Sequence, residues 1–225
     1  MSNHSANLPG FRLNFMIKKL IFSIILTSLA LTLSCGDKKV SSKPSNSNAN
    51  AQVKTGVAPV ADAEIAVIEM EQPAFGTIKI ELYSNIAPKM VERFKTLAKE
   101  GVYNGTTFHR INESVIQGGD PLSKDANPAN DGTGQSDKPN VPAEFSDIPY
   151  DTAILGAARS QDVNSANSQF FITLKREAAF DKKYTIFGKV IEGMGNVNTI
   201  AGVQPKQGER PIEAVKIKSV TIQPK

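Results

Sequence analysis

A chain of 225 residues holds either one domain with a sizeable core or two very small ones. Its 40% hydrophobic content, with 16 Gly, 13 Pro and no Trp, excludes a membrane bundle and a wholly disordered chain. The formal charge of +4 owes much to Arg12, Lys18 and Lys19, which stand in an N-terminal stretch without acids; the rest is nearly balanced, so no nucleic-acid partner is indicated.

In chain order, Met16-Ile17-Lys18-Lys19 and the apolar run Leu20 to Leu33 have the layout of a secretory signal, and the run is too short to cross a bilayer comfortably. Residues 1–34 are therefore expected to be a signal peptide, with Met16 as an alternative start. Ser34-Cys35 behind it resembles a bacterial lipobox, which implies lipidation of Cys35; the other reading is a plain secretory signal with an incidental cysteine. As the single cysteine, Cys35 cannot form an internal disulfide, and no metal site accompanies it. Residues 35–62 are rich in Ser, Asn, Lys, Ala and Pro, with too little apolar bulk to fold, and are expected to be a flexible tether.

A globular domain is expected over 63–225. Ile78, Ile80 and Leu82 alternate with Thr77, Lys79 and Glu81, the period of a strand with one buried face. From Pro88 to Glu100 the period becomes helical, with Val91, Phe94, Leu97 and Ala98 on one face, Pro88 suited to the first turn and Gly101 to the end. Further strands are expected at 108–111, 115–117, 154–158, 169–174 and 184–191, then a short helix around 194–200 and a last strand through Ile212, Val215, Ile217 and Val220. Many short strands with two helices suggest a mainly β fold, a closed antiparallel barrel capped by helices. The long stretch from Pro121 to Thr152 is almost all loop chemistry, and a loop of that length inside a domain is usually functional.

Three motifs follow one another: Phe108-His109-Arg110-Ile111, Gln117-Gly118-Gly119-Asp120, and Asn167-Ser168-Gln169-Phe170-Phe171-Ile172. With Tyr103-Asn104-Gly105 and Thr185-Ile186-Phe187-Gly188, they resemble the cyclophilin family over residues 65–222. The resemblance implies a closed eight-stranded antiparallel barrel with two helices, acting as a monomer on proline-containing polypeptides and needing no cofactor. It implies Arg110 as the catalytic donor to the prolyl nitrogen, oriented by Gln117. It also implies substrate contacts from Phe108, Val115, Gly132, Ala158, Arg159, Ser160, Gln169, Phe171, Phe180 and Tyr184. Phe170, alternating with Phe171, should point into the barrel. His109 should face away from Arg110, and with no nucleophile elbow or metal-ligand pattern beside it, it reads as structural.

The chain departs from the family between Arg110 and Gln117, where it is one residue shorter and has Asn112, Glu113 and Ser114 in place of an aromatic residue. Weaker proline binding and reduced turnover are expected from that change. The reading is a peptidyl-prolyl cis-trans isomerase of the bacterial cell envelope, held to the membrane only through its lipid, with the domain in the periplasm or at the outer surface. The rival keeps the fold and drops the catalysis, leaving a proline-peptide binding or surface interaction module.

Overall fold

The structure is a computed structural model that describes residues 51–204 and 209–225. The leader, Cys35 and the first part of the expected tether lie outside the described residues. Eight strands form one antiparallel sheet: β1 (Glu64–Met70), β2 (Thr77–Leu82), β3 (Arg110–Ile111), β4 (Val115–Gly118), β5 (Ile154–Ala157), β6 (Phe170–Thr173), β7 (Ile186–Glu192) and β8 (Ile217–Pro224). Their order across the sheet is β3-β4-β6-β5-β7-β2-β1-β8.

The sheet curls but its ladder does not close, which corrects the expected closed barrel. β3 regularises for only two residues, which ladder with β4 and not with β8, the strand at the other edge. Irregular chain bridges the gap instead: Phe108 N–H donates to Val215 O at 2.9 Å, Ile217 N–H to Thr106 O at 2.8 Å and Ile111 N–H to Glu209 O at 2.7 Å. These bonds satisfy backbone groups that an open edge would leave unpaired.

The two helices are α1 (Pro88–Lys99) and α2 (Met194–Ala201). α1 buries Met90, Val91, Phe94, Leu97 and Ala98 on one stripe. It has no side-chain cap from Ala87; Glu144, in the long loop, accepts from Lys89 N and Met90 N at 3.2 and 3.0 Å and brings a negative charge to the helix start. Phe94 meets Tyr103, Phe170 and Phe187 with ring centroids 5.1, 5.5 and 5.5 Å apart, and these rings fill the barrel interior. A second apolar cluster sits on the other face of β5 and β6, around Tyr150, Ile154, Phe171 and Ile186.

Residues 51–62, part of the expected tether, lie against the domain. Lys54 bridges Ser146 through Lys54 N to Phe145 O at 2.8 Å and Asp147 N to Lys54 O at 2.9 Å, and its Nζ donates to Ile86 O at 2.7 Å. Asp62 accepts from Ser84 Oγ and Lys95 Nζ, each at 2.7 Å. Val57 and Val60 in this segment stay exposed, so polar bonds hold it in place of burial. Among the described residues, no helix is long and apolar enough to cross a membrane.

Candidate active site

The β3–β4 pair places Arg110 opposite Gln117. Arg110 Nη1–H donates to Gln117 Oε1 at 3.3 Å; Gln117 Nε2–H donates to Gln169 Oε1 at 2.9 Å; Gln169 Nε2–H donates to Gly132 O and Gly134 O at 3.0 and 2.9 Å. Each amide has its oxygen turned to the preceding donor and its nitrogen to the next acceptor. The relay thus runs in one direction, from the guanidinium into the long loop, and fixes both glutamines.

Asp120 ties that loop down. Its carboxylate accepts from Leu122 N, Gly132 N and Gly134 N. Gly134 is required for this, since a Cβ there would stand 2.1 Å from Asp120 Oδ1. His109 faces away from exposed Arg110 and is buried beneath Gly132, whose own Cβ would lie 3.3 Å from the imidazole. Burial lowers the His109 pKa against the raising influence of Asp120, so the ring is neutral near pH 7.

Beside Arg110 lies a cavity of about 90 Å³ with Val115, Gln117, Ala158, Arg159, Phe171, Phe180 and Tyr184 as its other lining residues. Its walls are aromatic: Phe171 meets Phe180 at 5.6 Å and Tyr184 at 5.8 Å, both edge-on, and Tyr150 stacks behind Phe171 at 5.8 Å. Gly156 makes room for that stack, because a Cβ there would be 2.4 Å from Phe171 Cζ. The Arg159 guanidinium lies 4.5 Å over the Tyr184 ring and donates to Lys183 O, fixing the rim. A larger groove of about 310 Å³ adjoins, lined in part by Gly132, Ser160, Asn167 and Gln169.

Eleven of the twelve expected catalytic and substrate-contact residues therefore line one cavity and its adjoining groove. Phe108 is the exception. It is fully buried and meets Phe170 edge-on inside the barrel. Strand alternation would have put it on the face of Arg110, but the chain is not yet a regular strand at Phe108, whose N–H is bonded across the seam to Val215. Cys35 lies outside the described residues.

One residue at the site has no signal in the motifs. Glu209 Oε2 accepts from Arg110 Nε at 2.6 Å, and its Oε1 accepts from Asn112 Nδ2 at 3.0 Å. Burial raises the Glu209 carboxyl, but the donors Asn112 and Arg110 outweigh it and hold the pKa below its usual value. Asn112 also closes the shortened turn, its Oδ1 accepting from Ser114 N and Val115 N, each at 2.9 Å. Among the described residues no group of three or more His, Cys, Asp or Glu is arranged to hold a metal ion.

A cation at the mouth of a small aromatic cavity, beside an extended polar groove, suits a peptide with one compact apolar ring, polarised without covalent chemistry. Comparison with known proteins agrees with that geometry. The family model for cyclophilin-type peptidyl-prolyl cis-trans isomerases matches residues 66–222. A probable peptidyl-prolyl cis-trans isomerase of Brucella suis is 43% identical over 130 residues, 56% of this chain and 66% of that protein, just under two thirds of its length. A peptidyl-prolyl cis-trans isomerase of Schizosaccharomyces pombe is 39% identical over 152 residues, 65% of this chain and 92% of that one. The crystal structure of a Cryptosporidium parvum cyclophilin-type isomerase, determined in the presence of the dipeptide Ala-Pro, has a TM-score of 0.64 and 30% identity, covering 72% of this chain and 99% of its own.

Proposed function

This chain belongs to the cyclophilin-type peptidyl-prolyl cis-trans isomerase family, and from that premise we propose that it catalyses rotation about X-Pro peptide bonds in polypeptide substrates. The X-Pro amide resists rotation with a barrier of about 18–20 kcal/mol from resonance, and no bond needs to break. A donor on the prolyl nitrogen localises its lone pair and weakens that resonance. Arg110 is such a donor: always charged, planar, and braced by Gln117 and Glu209 before substrate arrives. In this reading the ring enters the cavity against Phe171, Phe180, Val115 and Tyr184. The residues before proline lie along the groove of Gly132, Ala158, Arg159, Ser160 and Gln169. Gln117 holds the arginine and meets the substrate carbonyl.

The carrying observation is the braced guanidinium at the mouth of the aromatic cavity. Exchange of an Ala-Pro or Leu-Pro peptide, followed by NMR with the chain and with Arg110→Ala, tests it: catalysis that collapses in the variant is expected. One observation favours the rival binding module, namely that the cavity holds only about 90 Å³. A folded chain that binds proline peptides without accelerating their exchange would establish that reading.

The leader pattern supports a further part of the proposal, a bacterial envelope lipoprotein acting as a monomer on the proline-containing segments of other envelope proteins. The lipid is proposed as its sole membrane attachment and no nucleic acid as a partner. Mass spectrometry of Cys35 checks the anchor; an unmodified thiol would refute it.

A further inference from the structure

Two of the three guanidinium nitrogens of Arg110 have protein partners: Nε on Glu209 at 2.6 Å and Nη1 on Gln117 at 3.3 Å. Among the described residues Nη2 has none. A planar fork held at two of its nitrogens cannot turn about its long stem without breaking one contact, so the direction of Nη2 is set in advance. Gln117 is part of the amide relay already described. Glu209 is not; it arrives from 99 residues further along the chain.

The contact is built at several points. Both carboxylate oxygens are engaged, one by Arg110 and the other by Asn112, and Glu209 O accepts from Ile111 N at 2.7 Å. Asn112 in turn caps the turn that leads into Val115 on the cavity wall. The backbone at Glu209 is left-handed, φ 68°, a conformation that costs a non-glycine residue energy and persists where its surroundings demand it. Stability gives little in return, since the Arg110 and Glu209 side chains are 44% and 42% exposed and such pairs are screened.

We propose that Glu209 is a positioning residue of the isomerase site, holding the Arg110 guanidinium so that its free Nη2 edge meets the prolyl nitrogen. The inference rests on the isomerase reading above. The shortened turn then has a compensation: it lacks an aromatic residue, and its Asn112 helps to hold the carboxylate that braces Arg110. Misplacing a catalytic donor by a fraction of its length is costly to rate while leaving the fold intact.

The test compares the full chain with Glu209→Gln and Glu209→Asp, using NMR-detected exchange at several concentrations of an Ala-Pro peptide, thermal unfolding and the Arg110 Nε–H resonance. Glu209→Gln should lose about tenfold in kcat with KM within about twofold, as expected when a contact matters mainly in the transition state. The Nε–H signal should shift and the unfolding midpoint stay in place, and Glu209→Asp, which keeps the charge, should recover part of the rate. Equal or higher activity in Glu209→Gln overturns the inference while sparing the isomerase reading, because Glu209 would then only shield Arg110. A fall in midpoint that tracks the rate loss overturns it too, as a structural role. A wild-type chain with no isomerase activity removes the reading and this inference together.

Discussion

Phe170 and Phe171 are adjacent on β6 and end in opposite environments. Phe170 points into the barrel, fully buried among Phe94, Tyr103 and Phe108, with centroids 5.5 to 6.1 Å away. Phe171 points outward onto Tyr150, Phe180 and Tyr184, and forms a wall of the cavity beside Arg110. The inner cluster is sealed by α1, while the outer one includes the partly exposed Phe180 and Tyr184. One strand thus carries the stability of the domain on one face and its candidate chemistry on the other, and substitutions on the two faces should separate the two properties.

The largest expected effect is on the sealed face. Phe170→Ala should cost about 3–5 kcal/mol of unfolding free energy, since the rings around it cannot collapse into the void. Urea denaturation measures it; a loss no larger than that of a surface substitution would break the comparison. On the open face, Arg110→Ala should lower kcat/KM at least about a hundredfold, about 2.7 kcal/mol in the barrier. Its exposed pair with Glu209 should be worth only about 0–1 kcal/mol to stability. Gly156→Ala should fall between the faces: its Cβ would push Phe171, 2.4 Å away, into the cavity. A stability cost of about 1–3 kcal/mol from overpacking is expected, with KM raised more than kcat is lowered.

Periodicity made much of this comparison legible beforehand. The alternation of Ile78, Ile80 and Leu82 and the stripe of Val91, Phe94, Leu97 and Ala98 report burial directly, and both segments form the elements their patterns imply. Arg110, Gln117 and Gln169 came into view through motif resemblance, not through any local pattern. Three features stayed hidden for physical reasons. Glu209 is an acid in a polar stretch of sequence and gains meaning only from a fold that returns it to Arg110. Phe108 obeys strand alternation only if the strand is regular there, and hydrogen bonds to the seam at Val215 decide that it is not. Residues 51–62 look unfoldable by hydrophobic content, yet backbone and carboxylate bonds hold them, and composition does not count those.

The smallest effect belongs to a residue on neither face and serves as the control for both. Asp62 fastens the N-terminal segment to Ser84 and to Lys95 of α1. Burial alone would raise its carboxyl pKa, but the hydrogen bonds from Lys95 and Ser84 outweigh that and hold it below its ordinary 3.8. A carboxyl with a depressed folded pKa adds stability that is fully present above the unfolded value and is lost as the pH falls through the folded one. Lys95 is the mirror case: burial would lower it, the bonds to Asp62 and Glu64 raise it above 10.5, and its share is present below that value and lost as the pH rises through its folded pKa. Asp62→Asn should therefore cost about 1 kcal/mol near neutrality, as expected for a pair that is mostly but not wholly buried. The gap in urea midpoint between wild type and variant should narrow as the pH falls below the ordinary carboxylate range, while peptide isomerisation stays unchanged. A change in isomerisation rate from Asp62→Asn would show that the strap reaches the open face, and that stability and chemistry are not divided at β6.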